Sequence, residues 1–267
     1  INGNDSDGGP IYGTPGQQNS NYQIYTLLST DFAEDTTLPL SLSPYLVHSG
    51  QFSVYKDKTL TIEPGVVIKF YDNYGYAGFK IEGTLNAVGT TDQKIIFTSF
   101  FDDQYGGDID GYNAQIPPSP GSWGGLVFTK DSTNLSKLDN IILRYAGSIF
   151  TDFGGSGIKV DQVAISLSNS IIEKNVNNGL WLINSPSIID SSQFIEQNSM
   201  GGKGIYMQGG NPEIKNSHIL NNYYGLYVER WLDLDNAEFW INFLLSNNSF
   251  GDNTFDIWDI DNPPPVP

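Results

Sequence analysis

The chain contains no cysteine. That excludes disulfides, thiolate metal sites and thiol nucleophiles together. It also argues against a small disulfide-stapled eukaryotic secreted module, while a bacterial exported protein stays compatible. Positive charge is scarce as well: 13 Lys and Arg stand against 30 Asp and Glu, a formal net charge of −17 over 267 residues. A field of that sign repels nucleic-acid phosphates and anionic lipid, so neither is an expected partner. It favours cations, Ca²⁺ first, because that ion takes carboxylate and carbonyl oxygens. No run approaches the roughly 18 apolar residues of a membrane span, so membrane insertion is not expected. Helical periodicity is missing too.

The two ends carry little that folds. Residues 1–20 are polar and rich in Gly and Asp, unlike a signal peptide, and are expected to be flexible. Within them, Asn4-Asp-Ser-Asp-Gly-Gly9 reads as a tether or as a Ca²⁺ contact. The closing Asn262-Pro263-Pro264-Pro265-Val266-Pro267 reads as a semi-rigid linker over residues 261–267, as in part of a larger chain or assembly.

What is present is a repeat. Hydrophobic residues make up 39% of the chain, enough for a substantial core. Four segments align: Gly157-Ile-Lys-Val160, Gly179-Leu-Trp-Leu182, Gly204-Ile-Tyr-Met207 and Gly225-Leu-Tyr-Val228. Each is paired with a second β-rich stretch. These are Asn169-Ser-Ile-Ile-Glu-Lys-Asn175, Ser192-Gln-Phe-Ile-Glu-Gln-Asn198, Asn216-Ser-His-Ile-Leu-Asn-Asn222 and Asn236-Ala-Glu-Phe-Trp-Ile-Asn242. The alignment puts Ile172, Ile195, Ile219 and Phe239 at one apolar place. It puts Asn175, Asn198, Asn222 and Asn242 at a turn, where they are expected to stack as an amide ladder. A period of about 20–25 residues with short strands suits one turn of a β-solenoid, whose coils must cover one another. Leucine-rich repeats share the period but need a Leu frame and a helical return arm, which this chain lacks.

The expected fold is therefore all-β, a right-handed parallel β-helix of about nine coils. The coils span residues 55–260, interrupted by a loop insertion at 100–122. Residues 21–54 are expected to form an N-terminal cap, because an open coil exposes core and strand edges. Phe250, Phe255, Ile257 and Trp258 are placed to close the other end.

Two groups of residues bear on chemistry. If residues one and three past each leading Gly point inward, Lys159, Trp181, Tyr206 and Tyr227 point outward, flanked by Asp161, Gln208 and Glu229. That strip reads as a carbohydrate-binding surface, or as stacking that stabilises the solenoid. It does not read as a glycosidase pair. Asp161 and Glu229 lie three coils apart, about 14 Å, against the ~5–9 Å such chemistry requires. No base, acid and metal ligands cluster elsewhere in the sequence. The second group, Asp102, Asp103, Asp108 and Asp110, crowds the Gly-rich insertion. It reads as a structural Ca²⁺ site or as a solvated acidic loop.

Several upstream motifs carry a family resemblance. Ser43-Pro-Tyr-Leu-Val47, Leu60-Thr-Ile-Glu-Pro-Gly-Val-Val-Ile-Lys-Phe70, Gly83-Thr-Leu-Asn-Ala-Val-Gly89, Trp123-Gly-Gly-Leu-Val-Phe128 and Arg144-Tyr-Ala-Gly147 resemble right-handed parallel β-helix domains of bacterial surface proteins, in the pectate-lyase-like superfamily. The resemblance covers roughly residues 40–260. It implies an extracellular or cell-surface bacterial domain acting as spacer, adhesin or glycan-binding module, with a glycan or surface component as partner. The same superfamily contains polysaccharide lyases, hydrolases and epimerases, so an enzyme using the aromatic face is the alternative.

Overall fold

The structure, a computed structural model, describes residues 24–72, 74–111, 114–149, 153–197, 201–229 and 246–260. Expectations for residues 1–20 and 261–267, and for Asn198, Phe239 and Asn242, fall outside these. The described residues form three parallel sheets of nine, eight and seven strands. The chain visits them in fixed order. Tyr45–His48 lies in the nine-stranded sheet, Gln51–Val54 in the eight-stranded one and Thr59–Ile62 in the seven-stranded one, before Val67–Tyr71 returns to the first. Each strand pairs in parallel with its counterpart one turn away, which defines a solenoid of stacked coils.

Alternation decides what the coils bury. Ile158, Val160, Leu180, Leu182, Ile205, Leu226 and Val228 point into the core and are almost fully buried, as expected of strands with one dry face. Larger rings fill the N-terminal half, where Phe70 stacks on Trp123 with centroids 4.1 Å apart and planes within 4°. The Trp123 indole N–H donates to the Arg144 carbonyl at 2.9 Å.

The leading glycines are required for space rather than for a turn. A Cβ on Gly179 would meet the Gly204 carbonyl oxygen at 2.7 Å, and one on Gly204 would meet that of Gly225 at 2.8 Å. Successive coils thus approach too closely there for any side chain. The turns instead use left-handed residues just outside the strands: Asn169, Asn216 and Asn247 at one bend, Lys174, Glu196 and Asn221 at the next. Asn tolerates that backbone, which accounts for its recurrence.

The amide ladder exists, with two members changed. Asn175 donates from its backbone N–H to the Gln197 side-chain carbonyl at 3.0 Å, and Gln197 likewise to Asn222 at 3.1 Å. Asn222 in turn donates to Asn253 at 2.9 Å. Register pairs Ile172 with Phe194, so the second stretch sits one residue earlier than aligned, and Phe194 rather than Ile195 faces the core. Gln197 carries the same amide as Asn on a longer stem, so it takes the place assigned to Asn198. In the last coil His218–Leu220 pairs with Ser249–Gly251, so Phe250 replaces Phe239 and Asn253 replaces Asn242. A parallel column of buried serines, Ser170, Ser192 and Ser217, accepts backbone N–H bonds at the neighbouring bend.

The stack also begins earlier than residue 55. Thr26–Leu28 pairs with Tyr45–Val47, and Thr36–Leu38 with Leu60–Ile62. Residues 26–54, within the stretch 21–54 expected as a cap, therefore already carry coil register. At the far end Phe250 and Ile257 pack on the core, partly buried.

Candidate functional site

The outward positions of the eight-stranded sheet fall in one row. Register aligns Lys159 with Trp181, Trp181 with Tyr206, Tyr206 with Tyr227 and Tyr227 with Trp258. The rings engage one another. Trp181 and Tyr206 stack with centroids 5.4 Å apart and planes 14° from parallel, and Tyr227 meets Tyr206 edge-on at 5.4 Å. The Lys159 ammonium lies 4.7 Å above the other face of Trp181. Trp181 is thus sandwiched along the solenoid axis and presents its edge outward. Gly154 packs against that ring so closely that a Cβ would meet it at 2.4 Å.

Polar groups of the strip also satisfy one another. The Trp181 indole N–H donates to the Gln208 side-chain oxygen at 2.8 Å, and the Gln208 amide donates to Glu229 at 2.9 Å. The Tyr206 hydroxyl donates to the same Glu229 oxygen. Lys203, which the sequence did not place in the strip, lies 5.2 Å from the Tyr206 ring centroid and 4.9 Å from that of Tyr227. Burial lowers the Lys203 pKa against the pull of Glu229, while burial and the Glu229 hydrogen bond raise that of Tyr206. Asp161 aligns with Ile183, not with Glu229, so the two carboxylates stay three coils apart. At about 14 Å that separation exceeds the ~5–9 Å used in glycosidase chemistry.

The insertion lies between Ile95–Ser99 of the nine-stranded sheet and Gly125–Phe128 of the eight-stranded sheet. It folds back on the outer face of the first. Phe100 and Ile109 pack on Leu46 as a small second core. Two basic residues pin the loop, and sequence reasoning missed both because each sits outward on its strand. Lys69, fully buried, donates to the Gly107 carbonyl at 2.5 Å. Burial lowers its pKa to about 8 despite four nearby aspartates, so it remains mostly charged at neutral pH. Arg144 reaches the Gln104 side chain at 2.9 Å and lies 3.4 Å from both Asp102 and Glu173.

The four aspartates therefore separate. Asp102 is buried and accepts a bond from the Thr98 hydroxyl at 2.5 Å beside Arg144, so it is a strut of the loop rather than part of the acidic cluster. Asp103, Asp108 and Asp110 do converge, with one carboxylate oxygen from each within 4.8 Å of the others. The Oδ1 of Asp103 is buried without a hydrogen-bond partner, a costly position that a cation would relieve. Burial first, then the Asp108 charge, raises the Asp103 pKa.

Among known proteins, no curated protein and no solved structure matches the chain. Residues 147–256 match the family described as right handed beta helix region. With that match lying across three parallel sheets of stacked coils, the chain is a right-handed parallel β-helix repeat domain.

Proposed function

We propose that this domain is a non-catalytic scaffold, an exported bacterial surface rod that spaces or displays what is joined to it. One observation supports the reading above others: the outward aromatic row is closed by its own members. A sugar platform needs a free ring face, and Trp181 has Lys159 on one face and Tyr206 on the other. A catalytic site needs a base or acid free to meet substrate, and Glu229 is engaged by Tyr206 and Gln208. The strip then serves the solenoid, each aromatic pair contributing ~0.5–1.5 kcal/mol beyond area burial. Exposure of the intact chain to neutral and acidic polysaccharides is expected to release neither reducing ends nor unsaturated uronates. Release of either would favour the enzymatic alternative. The absence of cysteine and the acidic composition support the exported setting.

A structural Ca²⁺ belongs to the same reading, held by Asp103, Asp108 and Asp110 with carbonyl oxygens of the insertion. Its support is the convergent trio and the unpartnered Asp103 oxygen. Lys69 opposes it, since its charge already compensates the aspartates. Thermal unfolding is expected to shift upward with Ca²⁺, by about 2.7 kcal/mol of added stability at a hundredfold excess over Kd. Asp108→Ala should abolish the shift. Lys69→Met, which removes the competing cation, should tighten Ca²⁺ binding at least about tenfold. An unchanged transition in all three proteins would leave the insertion as a loop pinned by Lys69 and Arg144 alone.

A further inference from the structure

Two aromatic side chains with open surface lie elsewhere, on a bend that leads from the nine-stranded to the eight-stranded sheet. There Tyr74 and Tyr76 are 70% and 43% exposed, the reverse of the half-buried Trp181 row. Their ring centroids lie 5.9 Å apart and their planes differ by 46°, so they form a bent wall without covering each other. They border a cleft of ≈ 520 Å³, within the ~300–1,000 Å³ usual for small-ligand sites.

Three coils build this cleft, and its floor is made of backbone. A Cβ on Gly75 would meet Ser148 at 2.8 Å, one on Gly121 would meet Val176 at 2.8 Å, and one on Gly147 would meet the Gly155 carbonyl at 2.7 Å. All three glycines have positive φ, so a side chain there is excluded twice over. Without side chains the bends stay open and shallow between the tyrosines and Ile149, which is 58% exposed. Ser119 and Ser122 supply hydroxyls at the rim, and Asp72 is the charged residue of the lining. A second cleft of ≈ 460 Å³ shares Pro120 with the first and is lined by Tyr145, Gln197, Asn221 and the Lys174–Glu196 pair, whose charged groups lie 3.9 Å apart.

We infer that this pair of clefts binds a neutral oligosaccharide lying along the solenoid, with sugar C–H faces against Tyr74 and Tyr76. Exposed ring faces beside hydroxyls and amides are the chemistry that recognises a pyranose, apolar on one face and hydroxylated around its edge. The charge argues for neutrality. Among the described residues the first cleft has a carboxylate and no basic residue, and the one cation of the second, Lys174, is offset by Glu196, so in a chain of net charge −17 a uronate or sulfated sugar is disfavoured. Two clefts that share Pro120 argue for a ligand longer than a single sugar. This goes beyond the scaffold reading and does not depend on it, because it uses none of the Trp181 row.

The test is calorimetric titration of the intact chain with soluble neutral hexasaccharides of gluco-, manno-, galacto-, xylo- and N-acetylglucosamine type, with hexagalacturonate as the acidic probe. At least one neutral probe should bind below ~10 mM, the weak range of a shallow site. In the Tyr74→Ala, Tyr76→Ala double variant that affinity should fall at least about tenfold with little change in melting temperature, both residues being exposed. Trp181→Ala should leave it unchanged, and hexagalacturonate should bind at least about tenfold more weakly. Failure of every neutral hexamer to bind overturns the inference, as does binding that survives the double variant or follows Trp181 instead.

Discussion

Asn222→Leu should destabilise the domain by about 3–5 kcal/mol, although it removes no charge and little volume. The Asn222 side chain accepts from the Gln197 backbone N–H at 3.1 Å and donates to the Phe194 and Leu220 carbonyls at 3.0 Å each. Asn222, Gln197 and Phe194 are buried and Leu220 is half-buried. Leucine fits the space but leaves one donor and two acceptors without partners, each costing ~1–3 kcal/mol where water is absent. The loss also reaches beyond one coil, because the Asn222 side-chain amide donates to the Asn253 side-chain oxygen at 3.2 Å as well. Thermal and urea unfolding measure it. A loss under about 1 kcal/mol would mean that these bends hold water or that the ladder does not set the register.

Arg144→Met is expected to cost a similar amount, about 3–5 kcal/mol, through a different mechanism. Methionine keeps the stem and discards the guanidinium, stranding Asp102, which is 2% exposed, and freeing Gln104. The insertion should then lift from the nine-stranded sheet. Limited proteolysis is expected to cut within residues 100–122 in the variant well before the wild type. The double variant Arg144→Met, Asp102→Leu should recover part of the loss, since an uncompensated buried carboxylate is what the single change leaves behind. Equal stability of wild type and single variant would show that the insertion is not anchored there.

Those two sites mark where sequence reasoning reached and where it stopped. Alternation with a period of two fixes which side chain faces the core, and it correctly sent Ile158 and Val160 inward and Lys159, Trp181, Tyr206 and Tyr227 outward. The ladder was legible as a recurrent amide but not in frame. Asn198 directly follows Gln197, so matching the letter chose the wrong neighbour, while the fold selects an amide within reach. Coil length misled in the same way, since the step from Asn222 to Asn253 is 31 residues, against 22 from Asn175 to Gln197.

Outward did not mean exposed. Lys69 and Arg144 stand on strands where a charged residue reads as surface, and only the folded insertion buries them. That burial also separates Asp102 from the other three aspartates, which spacing alone had grouped. The Tyr74 and Tyr76 cleft had no signature at all. Its walls come from bends that are distant in sequence, and its defining feature is the glycine floor between them.

The central functional claim is that the aromatic row is a structural column and not a reaction site. The most direct test is turnover by the intact chain, with and without Ca²⁺, on a panel of neutral and uronate-containing polysaccharides. Reducing ends and ultraviolet absorbance of unsaturated products would both be followed over a day, beside Glu229→Gln. The account predicts no product from either protein and a lower melting temperature for the variant, because Glu229 holds Tyr206 and Gln208 in place. Product formed by the wild type and lost in Glu229→Gln at a temperature where both are folded would contradict it.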